Sequence, residues 1–465
     1  MTHNRRAGWA LLFAVVGLTC LGVQAATVPN QFAWNAAQSR VTADIEGGSL
    51  YGTLKQIATA TGWRVYLEPG VTRQVSAKFS ELPPGDALRL LLGDLNYALV
   101  PDTNGSLRLF VFRTSRQNAT QLVEPAERSR TGAPAGKVIP NQLIVRLKPG
   151  AKIEEWARLL GARVTGRIDS LNAYRLEFDS EAATEAARQQ LAASSDVESV
   201  DNNYAIDRPP SGQPVSSQNL PPPPRLRLNP PPADGRIIVG LIDTAVQPLG
   251  GNLDPFVLEA ISVAGPARTD PNSPTHGTSM AGTVLRSLEE VTKGGTAVQI
   301  LPVDVYGANP STSTFDVAKG VVMAVNSGAK VINLSLGSPG DDSLLRSVLL
   351  DVSKQNIPVF AAAGNEPVTT PVYPAAYPGV TAVTAVDHGR IAPYANRGSF
   401  VSLGVPGTSV VYYQNQPYQV VGTSAASASA AGLAAGYMDA TRSTPAQMKS
   451  FMSKNFGVTR TPAGK

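Results

Sequence analysis

The 465 residues hold three histidines, His3, His276 and His388. Imidazole exchanges its proton most readily near neutral pH, so general-base chemistry would draw first on one of them. His276 stands in Thr275-His276-Gly277-Thr278-Ser279-Met280-Ala281-Gly282. The small residues after it would let a helix pack closely while the ring points into a cleft. His388 sits in the polar turn Val386-Asp387-His388-Gly389-Arg390 and reads as an exposed loop residue. Asp243 closes the apolar run of residues 237–242. A carboxylate at the end of a buried strand is costly without a partner. It reads either as a turn or helix-capping aspartate or as the group that orients a catalytic imidazole. Ser424 lies in Gly422-Thr423-Ser424-Ala425-Ala426. A serine at a glycine-led turn into a helix presents its hydroxyl and the first helix amides together. Such turns are common, so this one decides nothing alone.

The order is more telling: Asp243, His276, Ser424, with gaps of 276 − 243 = 33 and 424 − 276 = 148. That chain order is the one found in subtilisin. The text around these points resembles the subtilisin-like serine peptidases, the subtilases. Val239-Gly240-Leu241-Ile242-Asp243-Thr244 is similar to the aspartate motif, His276-Gly277-Thr278 to the histidine motif and Gly422-Thr423-Ser424 to the serine motif. Between them, Val331-Ile332-Asn333-Leu334-Ser335-Leu336-Gly337 resembles the strand lining the substrate cleft. Ala361-Ala362-Ala363-Gly364-Asn365-Glu366 resembles the segment bearing the oxyanion asparagine, and Tyr373-Pro374-Ala375-Ala376-Tyr377-Pro378-Gly379-Val380 the loop and strand after it.

The resemblance implies a serine endopeptidase in which Ser424 attacks the peptide carbonyl, His276 carries the proton and Asp243 holds the imidazole. It implies Asn365 as an oxyanion donor, together with the Ser424 N–H. It implies Leu334, Ser335, Leu336 and Gly337 as one substrate wall, pairing with extended peptide, and Ala362, Ala363 and Gly364 as the other. Glu366 is left between a place near the pocket for the side chain before the scissile bond and a solvated loop acid. Three departures stand out: Ala245 and Ala428, where the family usually has glycine and proline, and Ser429, where it often has histidine. None of the three does bond chemistry. They leave a rival reading in which the fold is a non-catalytic scaffold and the N-terminal region works as a periplasmic interaction module. No cofactor or metal is assigned, because no acidic cluster has convincing calcium-loop spacing.

These residues need a scaffold. Residues 234–457 alternate apolar runs (237–242, 330–336, 358–363, 380–386) with helical segments (315–327, 343–354, 425–438). That pattern predicts an α/β unit: a subtilisin-like parallel sheet with helices on both faces, its site beyond the carboxyl ends of the strands. Two small α+β domains are expected before it. Residues 136–207 read as strand, helix, strand, helix, strand and resemble the inhibitor-type propeptides of subtilases. Residues 26–118 read as helix, strand, helix, strand, and their apolar spacing resembles the short N-terminal domain of secretins and TonB-dependent receptors. Between the propeptide-like and catalytic regions, residues 208–233 are a proline-rich linker whose density of proline excludes a helix or a sheet interior.

Composition excludes other classes. The formal charge is +5 with no block of like charges, so nucleic acid is not an expected partner. Arg5 and Arg6, the apolar residues 7–23 and Val23-Gln24-Ala25 read as a signal peptide, residues 1–25. Export to the periplasm or the medium follows, and the short apolar run argues against a retained membrane anchor. The one cysteine, Cys20, falls inside that signal, so disulfides, a thiol nucleophile and cysteine zinc sites are not expected. Expected partners are protein or peptide substrates and the chain's own propeptide, with the molecule a monomer.

Overall fold

The computed structural model describes residues 31–35, 40–101, 107–123, 136–216, 220–233 and 235–458. The signal-peptide reading, with Cys20 and His3, lies outside them. Among the described residues no helix is long and apolar enough to cross a membrane.

Residues 31–123 fold around two small sheets. Gln31–Asn35, Arg40–Ser49 and Gln74–Leu82 form one, and Asn96–Pro101, Leu107–Phe112, Arg64–Leu67 and Gln121–Val123 the other. The two predicted helices are present, at Leu50–Thr61 and Pro84–Leu92. Gly62 ends the first with φ 71°, in the left-handed region that suits glycine. Leu54, Ile57, Val65, Leu91 and Leu109 fill the core between sheets and helices. The strands missed from the sequence, such as Gln74–Leu82, have one half-exposed face and a polar, weakly alternating pattern.

The next unit runs β1 (Lys137–Leu147), α1 (Ile153–Leu160), β2 (Arg163–Ile168), β3 (Ala173–Glu177), α2 (Glu181–Ala192) and β4 (Val197–Asp207). The extra strand β2 was not expected, because Arg163-Val164-Thr165-Gly166-Arg167 offers a single apolar side chain. One face of this sheet buries Leu143, Val145, Leu176 and Phe178 against α1 and α2. The opposite face sends Ile144, Ile168, Ala173 and Ile206 into the core of the large C-terminal unit. The sheet itself continues across the boundary, because β4 pairs antiparallel with β5 (Ser311–Ser313).

That large unit is built on a seven-stranded path. In spatial order it reads Ile261–Ser262, β7 (Gln299–Asp304), β6 (Ile238–Asp243), β8 (Val331–Leu334), β9 (Val359–Ala362), β10 (Val380–Asp387) and Arg390–Ile391. All pairings are parallel except the last. Helices cover both faces. On one lie α3 (His276–Thr292), α6 (Thr423–Thr441) and α7 (Pro445–Phe456); on the other lie α4 (Thr314–Asn326) and α5 (Ser343–Lys354). An antiparallel hairpin, β11 (Thr408–Tyr413) and β12 (Gln416–Val421), leads directly into α6. Helix α6 is apolar almost all round and therefore buried. Its small residues bring it against α3: a Cβ on Gly432 would lie 2.6 Å from the Val284 carbonyl oxygen.

The inhibitor-like unit grips α4 and α5 by their N-termini. Asn203 Oδ1 accepts the Phe315 N–H at 3.2 Å, and Ser343 Oγ donates to Asp201 Oδ2 at 2.6 Å. Arg175 Nη1 donates to Asp316 Oδ2 at 2.7 Å, and both side chains are mostly buried. Breaking such a pair strands the remaining charge. Arg175→Ala is therefore expected to destabilise the full chain by about 2 kcal/mol, discounted from a fully buried pair for partial exposure, as read by the urea midpoint.

The proline-rich linker is stitched to edges of the large C-terminal unit. Gln213–Pro214 pairs with β12, and Arg227–Leu228 pairs with Gly295–Thr296. Both are edge positions, where a missing proline N–H does little harm.

Candidate active site

The end of β6 and the start of α3 bring Asp243 and His276 together. Thr275 caps α3, its Oγ1 accepting the Thr278 N–H at 3.0 Å, so His276 is the first helical residue. Gly277 follows because nothing larger fits: a Cβ there would lie 2.1 Å from the Thr244 carbonyl oxygen. Asp243 is wholly buried and His276 is 3% exposed. The ring Nδ1 lies 2.8 and 2.9 Å from the two Asp243 oxygens. Asp243 Oδ1 also accepts the Thr244 N–H at 2.7 Å. A carboxylate bound this way fixes the Nδ1–H tautomer and leaves Nε2 as the basic nitrogen.

Ser424 is the second residue of α6, after Gly422, whose φ of 151° favours glycine. Its Oγ donates to the Ser335 carbonyl oxygen at 3.0 Å, and its own carbonyl accepts from Ser335 Oγ at 3.0 Å. Among the described residues Ser424 Oγ has no hydrogen bond to His276. Catalytic hydrogen bonds commonly tighten only when substrate is bound.

Asn365 stands beside this turn. Its Oδ1 accepts from the Thr423 N–H at 2.8 Å and from Thr423 Oγ1 at 3.0 Å. Tying down the oxygen fixes the orientation of the amide. Gly364, with φ 107°, passes so close to Asn396 that a Cβ would lie 2.4 Å from its Nδ2.

The expected wall residues separate into two groups. Gly337, Gly364 and Asn365 line one cavity of about 590 Å³, with Glu366 at its edge. The side chains of Leu334, Leu336, Ala362 and Ala363 are buried, so their contribution to a cleft is their backbone. Ser335, also buried, spends its hydroxyl pinning Ser424. Glu366 forms an ion pair with Arg64 of the N-terminal unit at 2.6 Å and remains half exposed. Beside it, Val368 is buried against Tyr66, Phe110 and Ala119. His388 is exposed, as expected.

Three supporting residues were not singled out from the sequence. Asn333, fully buried in β8, accepts from Ser427 Oγ at 2.8 Å and donates to Ser335 Oγ at 2.9 Å, so it ties α6 to the cleft wall. Thr423 bridges Asn365 and the Gly364 N–H. Asn396 donates to the Ala363 carbonyl at 2.8 Å and so sets the Asn365 loop. The signal for Asn333 was visible: an amide inside an apolar strand needs buried partners.

The end of β4 and the start of the linker pair with two strands beside this region. Ala205, Ile206 and Asp207 pair with Ser313, Thr312 and Ser311, and the Arg208 N–H donates to the Pro310 carbonyl at 2.8 Å. Gln213 then pairs with Gln419, and Val215 N–H donates to the Pro417 carbonyl at 3.1 Å, on the strand that runs into Ser424. Residues 209–212 pass from one edge to the other.

Known proteins match this chain in sequence and in fold. The model of the subtilase family matches residues 234–462, and that of the fervidolysin N-terminal prodomain matches residues 125–203. A thermophilic serine proteinase of Bacillus sp. (strain AK1) is 34% identical over 203 residues, 42% of this chain and 51% of that protein. Subtilisin Savinase of Lederbergia lenta is 31% identical over 221 residues, 45% of this chain and 81% of that protein. Among solved structures, fervidolysin from Fervidobacterium pennivorans, described as a keratinolytic enzyme related to subtilisin, superposes with a TM-score of 0.52 at 18% identity, covering 69% of this chain and 57% of that one. The chain spans about half the length of the Bacillus proteinase. With the matched sequence, the parallel sheet and the prodomain-like unit all present, the chain belongs to the subtilase family.

Proposed function

We propose that this chain is an exported serine endopeptidase, held as its own precursor, in which Ser424, His276 and Asp243 form the charge-relay triad. Ser424 Oγ attacks the scissile carbonyl while His276 Nε2 takes its proton. The imidazolium then protonates the leaving amine as the tetrahedral intermediate collapses to the acyl-enzyme. Water repeats the sequence and frees the acid. Asp243 stays ionised throughout, holding the tautomer and offsetting the imidazolium charge. The Asn365 NH₂ and the Ser424 N–H stabilise the oxyanion. The walls at 334–337 and 362–364 receive the substrate backbone. Protein or peptide chains are the substrates.

One set of contacts supports this reading: Asp243 and His276 form a buried pair, Asn365 is bonded to the turn that carries Ser424, and the chain's own residues 205–215 pair with β5 and with β12, the strand leading into that turn. Residues 136–207 are then the inhibitory propeptide, and cutting in or near the linker releases the enzyme. The export reading rests on residues 1–25. Fluorophosphonate treatment of processed protein, read by intact mass, tests the proposal. Wild type gains one adduct and Ser424→Ala gains none; Ser424→Ala also stays unprocessed. An unlabelled wild type that is folded and processed sinks it.

A further inference from the structure

The peptide segment seated against β5 carries an arginine whose side chain is received by the loop before that strand. Arg208 Nε donates to the Asn309 carbonyl at 2.9 Å, and Nη2 donates to the Gly307 carbonyl at 2.7 Å. The guanidinium lies over the Tyr306 ring, 5.2 Å from its centroid. Tyr306 is wholly buried, and its hydroxyl donates to the Asp207 carbonyl at 3.2 Å, so the ring also braces the peptide backbone.

The loop that offers these carbonyls is braced by a buried carboxylate. Asp304 ends β7, in register with Asp243 on the neighbouring strand. Its Oδ1 accepts the N–H groups of Tyr306 and Gly307 at 2.9 and 3.0 Å. This turns the loop carbonyls outward and sets a carboxylate behind the site. Two carbonyls at that spacing and an aromatic face suit a planar fork of N–H donors better than a compact ammonium.

We propose that this groove contains a guanidinium-binding subsite, formed by the Tyr306 ring face and the carbonyls of Gly307 and Asn309, which selects peptides bearing arginine shortly before the bond that is cut. The side of the cut follows from the path of the chain. Arg208 makes the last contact with the β5 edge, and Gln213 makes the first with the strand leading into Ser424. The reacting bond of a peptide on this path therefore lies after the arginine. The inference rests on the peptidase reading for its consequence, and on the contacts alone for the site.

Two experiments separate these. In the first, processed enzyme is given internally quenched peptides Ala-Ile-Asp-Xaa-Ala-Ala-Ser-Gly-Gln, with both crossing prolines replaced by alanine and the cut located by mass. Arginine at Xaa is expected to raise kcat/KM about tenfold or more over citrulline, its neutral isostere, in keeping with a cation–π contact plus charge-assisted hydrogen bonds. The ratio should hold in Tyr306→Phe and fall toward one in Tyr306→Leu. In the second, the uncleaved Ser424→Ala chain is followed by amide hydrogen exchange. Arg208→Ala should speed exchange of residues 206–208 and 311–313 about tenfold, with Arg208→Lys between. An arginine-to-citrulline ratio of one in labelled, active enzyme, or unchanged exchange in Arg208→Ala, overturns the subsite. An enzyme that takes no fluorophosphonate overturns the peptidase reading, and the exchange experiment still judges the site.

Discussion

Replacing Ser424 by alanine should lower peptide hydrolysis by on the order of 10⁶, the magnitude for subtilisin's own serine, and replacing Asp243 by asparagine by about 10⁴, the magnitude of the same change in a chymotrypsin-type triad. The two losses differ because the residues fail differently. Without Ser424 no acyl-enzyme forms, and only the oxyanion donors and bound geometry remain. An asparagine in place of Asp243 would fill the same buried space, but its NH₂ would donate to His276 Nδ1 where Asp243 now accepts at 2.8 Å. The ring would then carry its proton on Nε2, facing a serine it could no longer deprotonate. Asp243→Asn should therefore keep its fold and its peptide binding. Steady-state kinetics should show the deficit in kcat with KM little changed, and the Asp243→Asn, Ser424→Ala double variant should be no slower than Ser424→Ala alone. Additive losses in the double variant would mean that the two residues do not act as one unit.

The motifs of the candidate site were more legible in the sequence than the architecture around them. Asp243, His276, Ser424 and Asn365 stand in short motifs whose neighbours have local reasons: Gly277 for the approach of α3 to Thr244, and Gly422 for the turn into α6. The apolar runs predicted β6, β8, β9 and β10, because a parallel sheet covered on both faces has no polar alternation to confuse with a helix. β2 and Gln74–Leu82 were missed for the opposite reason, one face of each being polar, whereas the more apolar Arg64–Leu67 and Leu107–Phe112 were foreseen. Nothing local in Arg64 or Glu366 announces that they meet across 302 positions. Nor does Arg208 announce its seat, since the carbonyls that receive it belong to a loop about a hundred residues away and carry no side-chain signal. Contacts made by backbone atoms, or by residues whose types are ordinary on a surface, come into view only when the units are docked.

The hold of the inhibitor-like unit on α4 and α5 should weaken as pH rises toward 7, because a carboxyl group is trapped at the contact. Asp342 caps α5, accepting the Leu345 N–H at 2.6 Å and the Thr314 hydroxyl at 3.2 Å, and is 1% exposed. Burial, and then the charge of Asp201 on β4, push its pKa up to about 7 against hydrogen bonds that lower it. The other ionisable groups around it are Asp341, which pairs with Arg346, and the Tyr377 hydroxyl, which accepts the Asp342 N–H. None supplies a cation directly to Asp342. When β4 leaves, Asp201 goes with it and water enters, so the pKa of Asp342 falls toward the usual value near 3.9. The bound state thus holds a proton that the released state gives up. The grip is fully present below about pH 4, declines by up to tenfold per pH unit, and levels off above about pH 7, a total of roughly 10²–10³. Hydrogen exchange of the β4 amides in the uncleaved Ser424→Ala chain, corrected for the intrinsic pH dependence of exchange, measures this opening. Asp342→Asn keeps the cap but cannot ionise, so its opening should be flat with pH and match the acid-side value of the parent. Asp201→Asn should shift the decline to lower pH, since it removes the charge while sparing the burial. A parent whose corrected opening does not change between pH 5 and 8 would show that Asp342 keeps the same proton affinity bound and released. The restraint would then be set by the Arg175–Asp316 pair, the Asn203 cap and the apolar face of the sheet.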